Sequence, residues 1–405
     1  MKIKRDAQHT LERLARSFPA VIVTGPRQSG KTTLVKMTFP EKPYISLENL
    51  NSREAASSDP VGFLAGFPLG CVIDEVQNVP EIVSYLQEVI DLDSAPGKWI
   101  LTGSQRLGIL SGISQSLAGR AAYLELLPFS LKEIGKLTVG GDLDSVLFKG
   151  LYPPVYDRNP EPGLWAQNYI RTYVERDVRM LVNIRNLNTF QRFLRLCAAR
   201  TGQLLNLSNL ATDAGITHNT AGAWISALEA SYIVFLLHPH HSNFRKRLIR
   251  TPKLYFHDTG LAAWLLSVGS PEIMNLSSFR GALFENLIVS ELLKARLNRG
   301  MKSNLHFWRD RTGHEVDVVI EQGSRLNAVE IKSGSTVTAD SLKGLRWWRN
   351  LSGDDSPTII YGGDSSFTRE GISILSWKAD MEALNCQSYR IASACEPVQG
   401  IPRVY

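Results

Sequence analysis

The chain has 405 residues, 43% apolar and 21% charged, a globular composition in a length that calls for two or three cores. No apolar run reaches bilayer-spanning length, so no membrane partner is expected. Cys71, Cys197, Cys386 and Cys395 are scattered without metal-ligand spacing, which points to reduced thiols in a cytoplasmic protein. The net charge of +6 is localised: residues 131–280 hold 17 basic and 11 acidic side chains, while the segments on either side are balanced. Such an excess can attract a polyanion.

In chain order, helical periodicity over 5–18 (Leu11, Leu14, Ala15, Phe18) precedes an apolar strand over 21–24. That strand enters Gly25-Pro26-Arg27-Gln28-Ser29-Gly30-Lys31-Thr32-Thr33, a phosphate-binding loop pattern in its strand–loop–helix context. The glycines let the backbone aim several N–H groups at one phosphate, and the following helix adds its positive dipole end. Lys31 is expected on the outer phosphates and the Thr32 hydroxyl on Mg²⁺.

Further strands are predicted over 44–47, 71–73, 99–102 and 123–127, separated by helices such as 81–90, giving a parallel α/β domain over 1–130. The strand over 71–73 ends in Asp74 and Glu75. Ligands in parallel sheets bind beyond the strands' carboxyl ends, so Asp74 is assigned to Mg²⁺ and Glu75 to polarising the attacking water. The next strand runs into Ser104, Gln105 and Arg106; Ser104 is the candidate sensor of the terminal phosphate, with Gln105 as the substitute.

A helical linker is expected over 131–187, with a charged helix around Asn168–Arg179 that reads as solvated, a role in signalling nucleotide state being the alternative. Residues 188–260 read as a winged helix. A short helix ends at Gly215, Thr217 caps the next, and two strands over 232–237 and 253–257 flank a basic loop. His218, Asn219, Arg245, Lys246, Arg247 and Arg250 are the candidate DNA contacts, with a protein-binding module as the alternative.

Residues 261–405 form the last expected domain. A helix carrying Glu285 precedes a strand with Asp317, a turn at Gln322-Gly323-Ser324, and a strand with Glu330 and Lys332. Alternation places Asp317 with Val319, and Glu330 with Lys332. Two carboxylates beside a lysine can hold a divalent metal and orient a water for phosphodiester cleavage; a solvated hairpin is the bland alternative.

Together with Leu101-Thr102-Gly103-Ser104 and Ser116-Leu117-Ala118-Gly119-Arg120, these motifs resemble bacterial and archaeal AAA-type P-loop ATPases with a C-terminal domain of unknown function. The resemblance extends through Tyr173-Val174-Glu175-Arg176-Asp177-Val178 and the run from Pro252 to Leu261. It implies a multidomain α/β chain: a parallel-sheet ATPase module, a winged helix and a domain similar to PD-(D/E)xK restriction-type nucleases. In that last fold Glu285, Asp317, Glu330 and Lys332 match the site positions. The resemblance also offers Arg120 as an arginine for a neighbouring subunit's ATP, which a homo-oligomer would supply; Arg106 competes for the role and a structural ion pair competes with both.

The expected function is an Mg²⁺-dependent ATPase whose nucleotide state controls a DNA-binding C-terminal region. An ATP-gated nuclease and a protein-interaction switch without DNA binding are the alternatives. No purine-reading motif separates ATP from GTP.

Overall fold

The computed structural model describes residues 3–104, 117–135, 141–174, 182, 184, 186–240, 249–354 and 356–385. Among them, β1 (Ala20–Thr24), β2 (Tyr44–Ser46), β3 (Val72–Asp74), β4 (Trp99–Gly103) and β5 (Ala121–Glu125) form a parallel sheet in the order β2-β3-β4-β1-β5. Every residue of β1 is buried, because helices cover both faces. Ile22, Ile73 and Leu101 point to one face and meet Ile82, Leu86 and Ile90 of helix Ile82–Leu92. Val21, Val23 and Ile100 point to the other and meet Leu11, Leu34 and Val35 of helices Gln8–Ala15 and Lys31–Thr38. β1 therefore ends at the sheet's carboxyl edge, between β4 and β5.

The segment expected as a linker packs into the core where it is described, while Asn168 and Arg171 of its charged helix are exposed. Helices Leu143–Lys149, Pro153–Asp157 and Pro162–Tyr169 bury Val146, Leu147, Tyr152, Val155 and Tyr169. Helices Thr259–Leu265 and Pro271–Leu276 fold back onto Leu143–Lys149, so the boundary expected at residue 260 falls inside a packed unit. Asp258 holds this seam by accepting from Leu261 N (3.0 Å) and Leu151 N (2.6 Å). Gly150 is required there, since a Cβ would lie 2.3 Å from Asp258 Oδ1.

Helices Leu187–Ala199, Leu207–Ala214 and His218–Ala230 follow one another; Gly215 closes the second in the left-handed region and Thr217 caps the third. β6 (Val234–Leu237) and β7 (Lys253–Phe256) then pair antiparallel. These strands are largely buried, and the chain beyond β6 bonds to β8 (Leu305–Arg309) through His240 N to Phe307 O (2.7 Å). The two strands expected to form a wing are therefore part of a shared core and not a free ribbon. Arg245, Lys246 and Arg247 lie outside the described residues.

The last sheet is mixed. β8, β9 (Glu315–Gln322), β10 (Arg325–Lys332), β11 (Thr358–Tyr361), β12 (Phe367–Arg369) and β13 (Ile372–Ser376) run in the order β12-β13-β11-β10-β9-β8. Helix Arg280–Leu297 covers one face and helix Lys343–Ser352 the other. The first of these helices is buried over most of its circumference from Leu283 onward, as a helix between several bodies must be. Its polar residues tie those bodies together: Asn286 bonds both backbone groups of Phe256, and Lys294 donates to Phe129 O at 2.8 Å. Among the described residues no helix is long and apolar enough to cross a membrane.

Candidate functional site

The loop after β1 is held by glycine geometry and by its own lysine. Gly25 has φ 147°, and a Cβ there would lie 2.1 Å from Leu126 O. Gly30, at φ 93°, leads into helix Lys31–Thr38. Lys31 is 4% exposed, and its Nζ donates to the carbonyls of Gly25 and Pro26, both at 2.9 Å. The loop is thus closed around an ammonium at a helix N-terminus, where an anion is favoured.

Asp74 ends β3 and is 5% exposed. It accepts from Thr32 Oγ1 (3.0 Å), Tyr44 OH (2.6 Å) and Thr102 Oγ1. β4 lies between β1 and β3, with Thr102 in register with Val23, so the middle strand supplies the hydroxyl that steadies the carboxylate. Burial and the bond to Asp74 push the Tyr44 phenol upward, keeping it a neutral donor. Thr32 and Asp74 are hard oxygen donors placed together, and they fit an Mg²⁺ ion.

Glu75 sits in the left-handed region (φ 56°), an uncommon conformation for a non-glycine residue. Its carboxylate accepts from Ser104 Oγ at 3.1 Å and from the Gln77 amide, while Gln77 Nε2 also reaches Ser104 Oγ at 3.0 Å. Lys31, Thr32, Thr33 and Glu75 open on a cavity of about 490 Å³ whose walls include Ile3, Met37, Phe129 and Pro153. The arrangement can take a polyphosphate on the loop and a water beside Glu75.

Sequence reasoning missed Tyr44, Thr102, Gln77 and Arg5. Tyr44 and Thr102 were visible only as strand residues, and Gln77 as a polar residue two after Glu75. Arg5 is 5% exposed and donates to Ser29 O (2.6 Å), Leu127 O (2.7 Å) and Glu133 (2.9 Å), joining the loop to the end of the sheet.

Arg120 does not join this site. It lies immediately before β5, at the opposite edge of the parallel sheet from the loop, in an ion pair with Asp91 (Nη2 to Oδ2, 2.8 Å). Gln105 and Arg106 lie outside the described residues.

A second charged cluster forms where the last domain meets β7. Regular alternation fails in β9: His306 faces Val319 and Trp308 faces Val316, so β9 carries an extra residue around Asp317. Val316 and Val319 consequently pack in one core and Val318 in the other, correcting the expected pairing of Asp317 with Val319. Asp317 accepts from Ile331 N at 2.9 Å. It acts electrostatically on both Glu285 and Glu330, whose carboxyls are raised by burial and then by Asp317, that of Glu330 to about 7. Lys332 pairs with Glu330 at 2.7 Å.

The cluster also contains a cation that the sequence reading did not include. Lys253 of β7, 3% exposed, bridges Glu285 (3.1 Å) and Glu315 (2.5 Å), Tyr255 OH donates to Glu285 (2.6 Å), and Arg309 pairs with Glu315 (3.1 Å). Among the described residues no group of three His, Cys, Asp or Glu side chains is arranged to hold a metal ion. In this arrangement Lys253 already supplies positive charge beside Glu285 and Glu315.

His218 and Asn219 are exposed at the start of helix His218–Ala230, and Arg250 is exposed at the edge of the described residues.

A family model described as an AAA domain matches residues 17–135, and two domains of unknown function match residues 140–272 and 280–379. The uncharacterized protein Rv2008c of Mycobacterium tuberculosis is 30% identical over 336 residues, covering 82% of this chain and 74% of that protein. The uncharacterized protein Mb2031c of Mycobacterium bovis shows the same identity and coverage. Among solved structures, the Walker-type ATPase paby2304 of Pyrococcus abyssi is 16% identical, covers 64% of this chain and 94% of its own, and has a TM-score of 0.44. AMPPCP-bound DnaA from Aquifex aeolicus is 16% identical, covers 55% and 85%, and has a TM-score of 0.30. These structural likenesses are too slight to carry the assignment, which rests on the family models and the curated relatives. The chain belongs to the family of the mycobacterial proteins and carries, in order, an AAA domain and two domains of unknown function.

Proposed function

We propose that the N-terminal domain binds Mg·ATP and hydrolyses it, and that its nucleotide state controls a DNA-binding region in the rest of the chain. One observation carries the ATPase reading. Thr32 bonds to Asp74 and Ser104 to Glu75, and Lys31, Thr32 and Glu75 line one cavity of about 490 Å³, so that three separate motifs meet at one place. The loop residues Gly25, Pro26, Arg27, Gln28, Ser29, Gly30, Lys31, Thr32 and Thr33 cradle the phosphates. Thr32 and Asp74 hold the Mg²⁺, whose chemistry when bound is to neutralise charge on the terminal phosphates. Glu75 accepts a proton from the attacking water, and Ser104 contacts the terminal phosphate.

The DNA reading is supported by the localised basic excess over 131–280 and by the exposed His218, Asn219 and Arg250. The test is ATP turnover by the full chain with and without duplex DNA, at defined salt. Turnover that changes with DNA and loses that response at high salt supports the control. Turnover indifferent to DNA, with no retention on DNA at low salt, leaves an ATP-dependent protein-interaction switch.

An ATP-gated nuclease is the second reading, favoured by the electrostatic influence of Asp317 on both Glu285 and Glu330. The Lys253 bridge to Glu285 and Glu315 opposes it. Cleavage of plasmid DNA that needs Mg²⁺ or Mn²⁺ and disappears in Lys332→Ala is the result that reading requires.

A further inference from the structure

The P-loop is held from outside the AAA domain. Trp165, Tyr169 and Tyr173 recur at a spacing of four, one face of helix Pro162–Tyr169 continued into the wider turn Ile170–Val174. Their rings follow one another at 5.1 and 5.4 Å, with Tyr152 behind them at 4.9 Å from Trp165. Each turns its polar atom to the loop. Trp165 Nε1 donates to Gln28 Oε1 (3.1 Å), Gln28 Nε2 donates to Tyr173 OH (3.2 Å), and Tyr169 OH donates to Arg27 O (3.2 Å). The Arg27 guanidinium lies 5.3 Å from the centre of the Tyr173 ring. At the foot of the loop, buried Tyr232 donates to Thr24 Oγ1 at 2.9 Å.

These contacts bear on what the loop can present to a phosphate. Gln28 is a non-glycine residue at φ 62°, a conformation that persists only where its surroundings impose it. The carbonyls of Gly25, Pro26, Arg27 and Ser29 all accept side-chain hydrogen bonds, from Lys31, Tyr169 and Arg5. Carbonyls engaged this way are kept from facing an anion, which leaves the amide groups to do so.

We propose that Trp165, Tyr169 and Tyr173 are positioning residues of the nucleotide site, setting the shape of the P-loop from the domain that follows it. This rests on the reading of that loop as a nucleotide site. The same residues make the loop's conformation felt in the middle domain, because a loop that shifts on binding must shift Gln28 between its two aromatic partners.

The test uses the full chain with Trp165→Phe, Tyr169→Phe and Tyr173→Phe, singly and together, each change keeping a ring and deleting a polar group. Each lost bond is worth roughly two- to tenfold in affinity. The triple variant is therefore expected to bind Mg·ADP about tenfold or more weakly, with kcat for Mg·ATP changed less than about threefold. Amide hydrogen exchange over 25–30 is expected to accelerate in the absence of nucleotide and to return to the parent's level at saturating Mg·ADP. Tyr173→Phe alone gives the smaller version of both effects should the triple variant fail to fold. Affinity within twofold of the parent, together with unchanged exchange over 25–30, overturns the proposal and leaves these contacts as domain packing. A parent chain that binds no nucleotide refutes the P-loop reading instead, and the exchange measurement without nucleotide still decides whether the loop is held.

Discussion

The N-terminal site and the C-terminal charged cluster are built from the same side-chain types and differ in how their carboxylates are held. At the N-terminal site, Asp74 is surrounded by hydroxyls from Thr32, Tyr44 and Thr102, and Glu75 by Ser104 and Gln77. Lys31 donates to the backbone of its own loop. At the C-terminal cluster, Lys253 bridges Glu285 and Glu315, Arg309 also pairs with Glu315, and Lys332 pairs with Glu330. Carboxylates fixed by hydroxyls and amides remain a destination for a cation. Carboxylates already bridged by a buried ammonium are joined to the fold. Retained residue types therefore do not establish retained metal chemistry; the partners decide it.

The sharpest way to break this comparison is Lys31→Ala. Removing the ammonium is expected to abolish productive nucleotide binding while the fold persists, as read by Mg·ATP turnover and circular dichroism; normal hydrolysis by the folded variant contradicts the site. Glu75→Gln is expected to bind ATP and to lose about a hundred- to ten-thousandfold in turnover. A loss under about tenfold transfers the water-positioning role to another residue.

On the other side of the comparison, Lys253→Met is expected to destabilise the chain by about 3–5 kcal/mol, the cost of leaving buried carboxylates without their partner. Glu285→Gln in the same chain should recover part of that loss in urea unfolding, and strictly additive effects would show that the bridge contributes nothing. Charge reversal at Arg245, Lys246 and Arg247 should weaken retention on DNA about equally for all sequences and flatten its salt dependence. Unchanged retention at moderate salt assigns the region over 188–260 to protein contacts.

The smallest effect concerns pH. The folded-state value of Glu330 is raised by burial and by Asp317, from 4.5 to about 7, so between these values the folded chain binds more protons than the unfolded one. The stability this group contributes is fully present below about pH 4.5 and is lost as pH rises through about 7. Glu330→Gln should therefore stabilise the chain more at pH 8 than at pH 5 in thermal unfolding, and an equal effect at both contradicts the shift.

Sequence was most legible where chemistry is local. A strand, two glycines, a lysine and a hydroxyl are contiguous from Val21 to Thr33, and the Asp74-Glu75 pair closes an equally contiguous apolar run. The caps at Gly215 and Thr217 were legible for the same reason. Arg5 was not, because its three partners lie 24 to 128 residues away. The bulge at Asp317 was missed because Glu315 to Val318 alternates regularly, and the apolar run Val318-Val319-Ile320 that follows also suits a strand buried on both faces. The packing of the segment read as a linker was not legible because its helices are short, two of them beginning at prolines, so little periodicity accumulates before each one ends. Lys253 sat within the quoted run from Pro252 to Leu261, yet its partners are Glu285 and Glu315, on a helix and a strand of the following domain.

The central claim is that the AAA domain's loop and its two carboxylates form an Mg·ATP-hydrolysing site. Steady-state phosphate release from ATP by the unaltered full chain tests it most directly, with and without Mg²⁺. The account predicts turnover that saturates with ATP, stops when Mg²⁺ is chelated and disappears in Lys31→Ala. Neither binding nor phosphate release at millimolar Mg·ATP from the folded chain would contradict it.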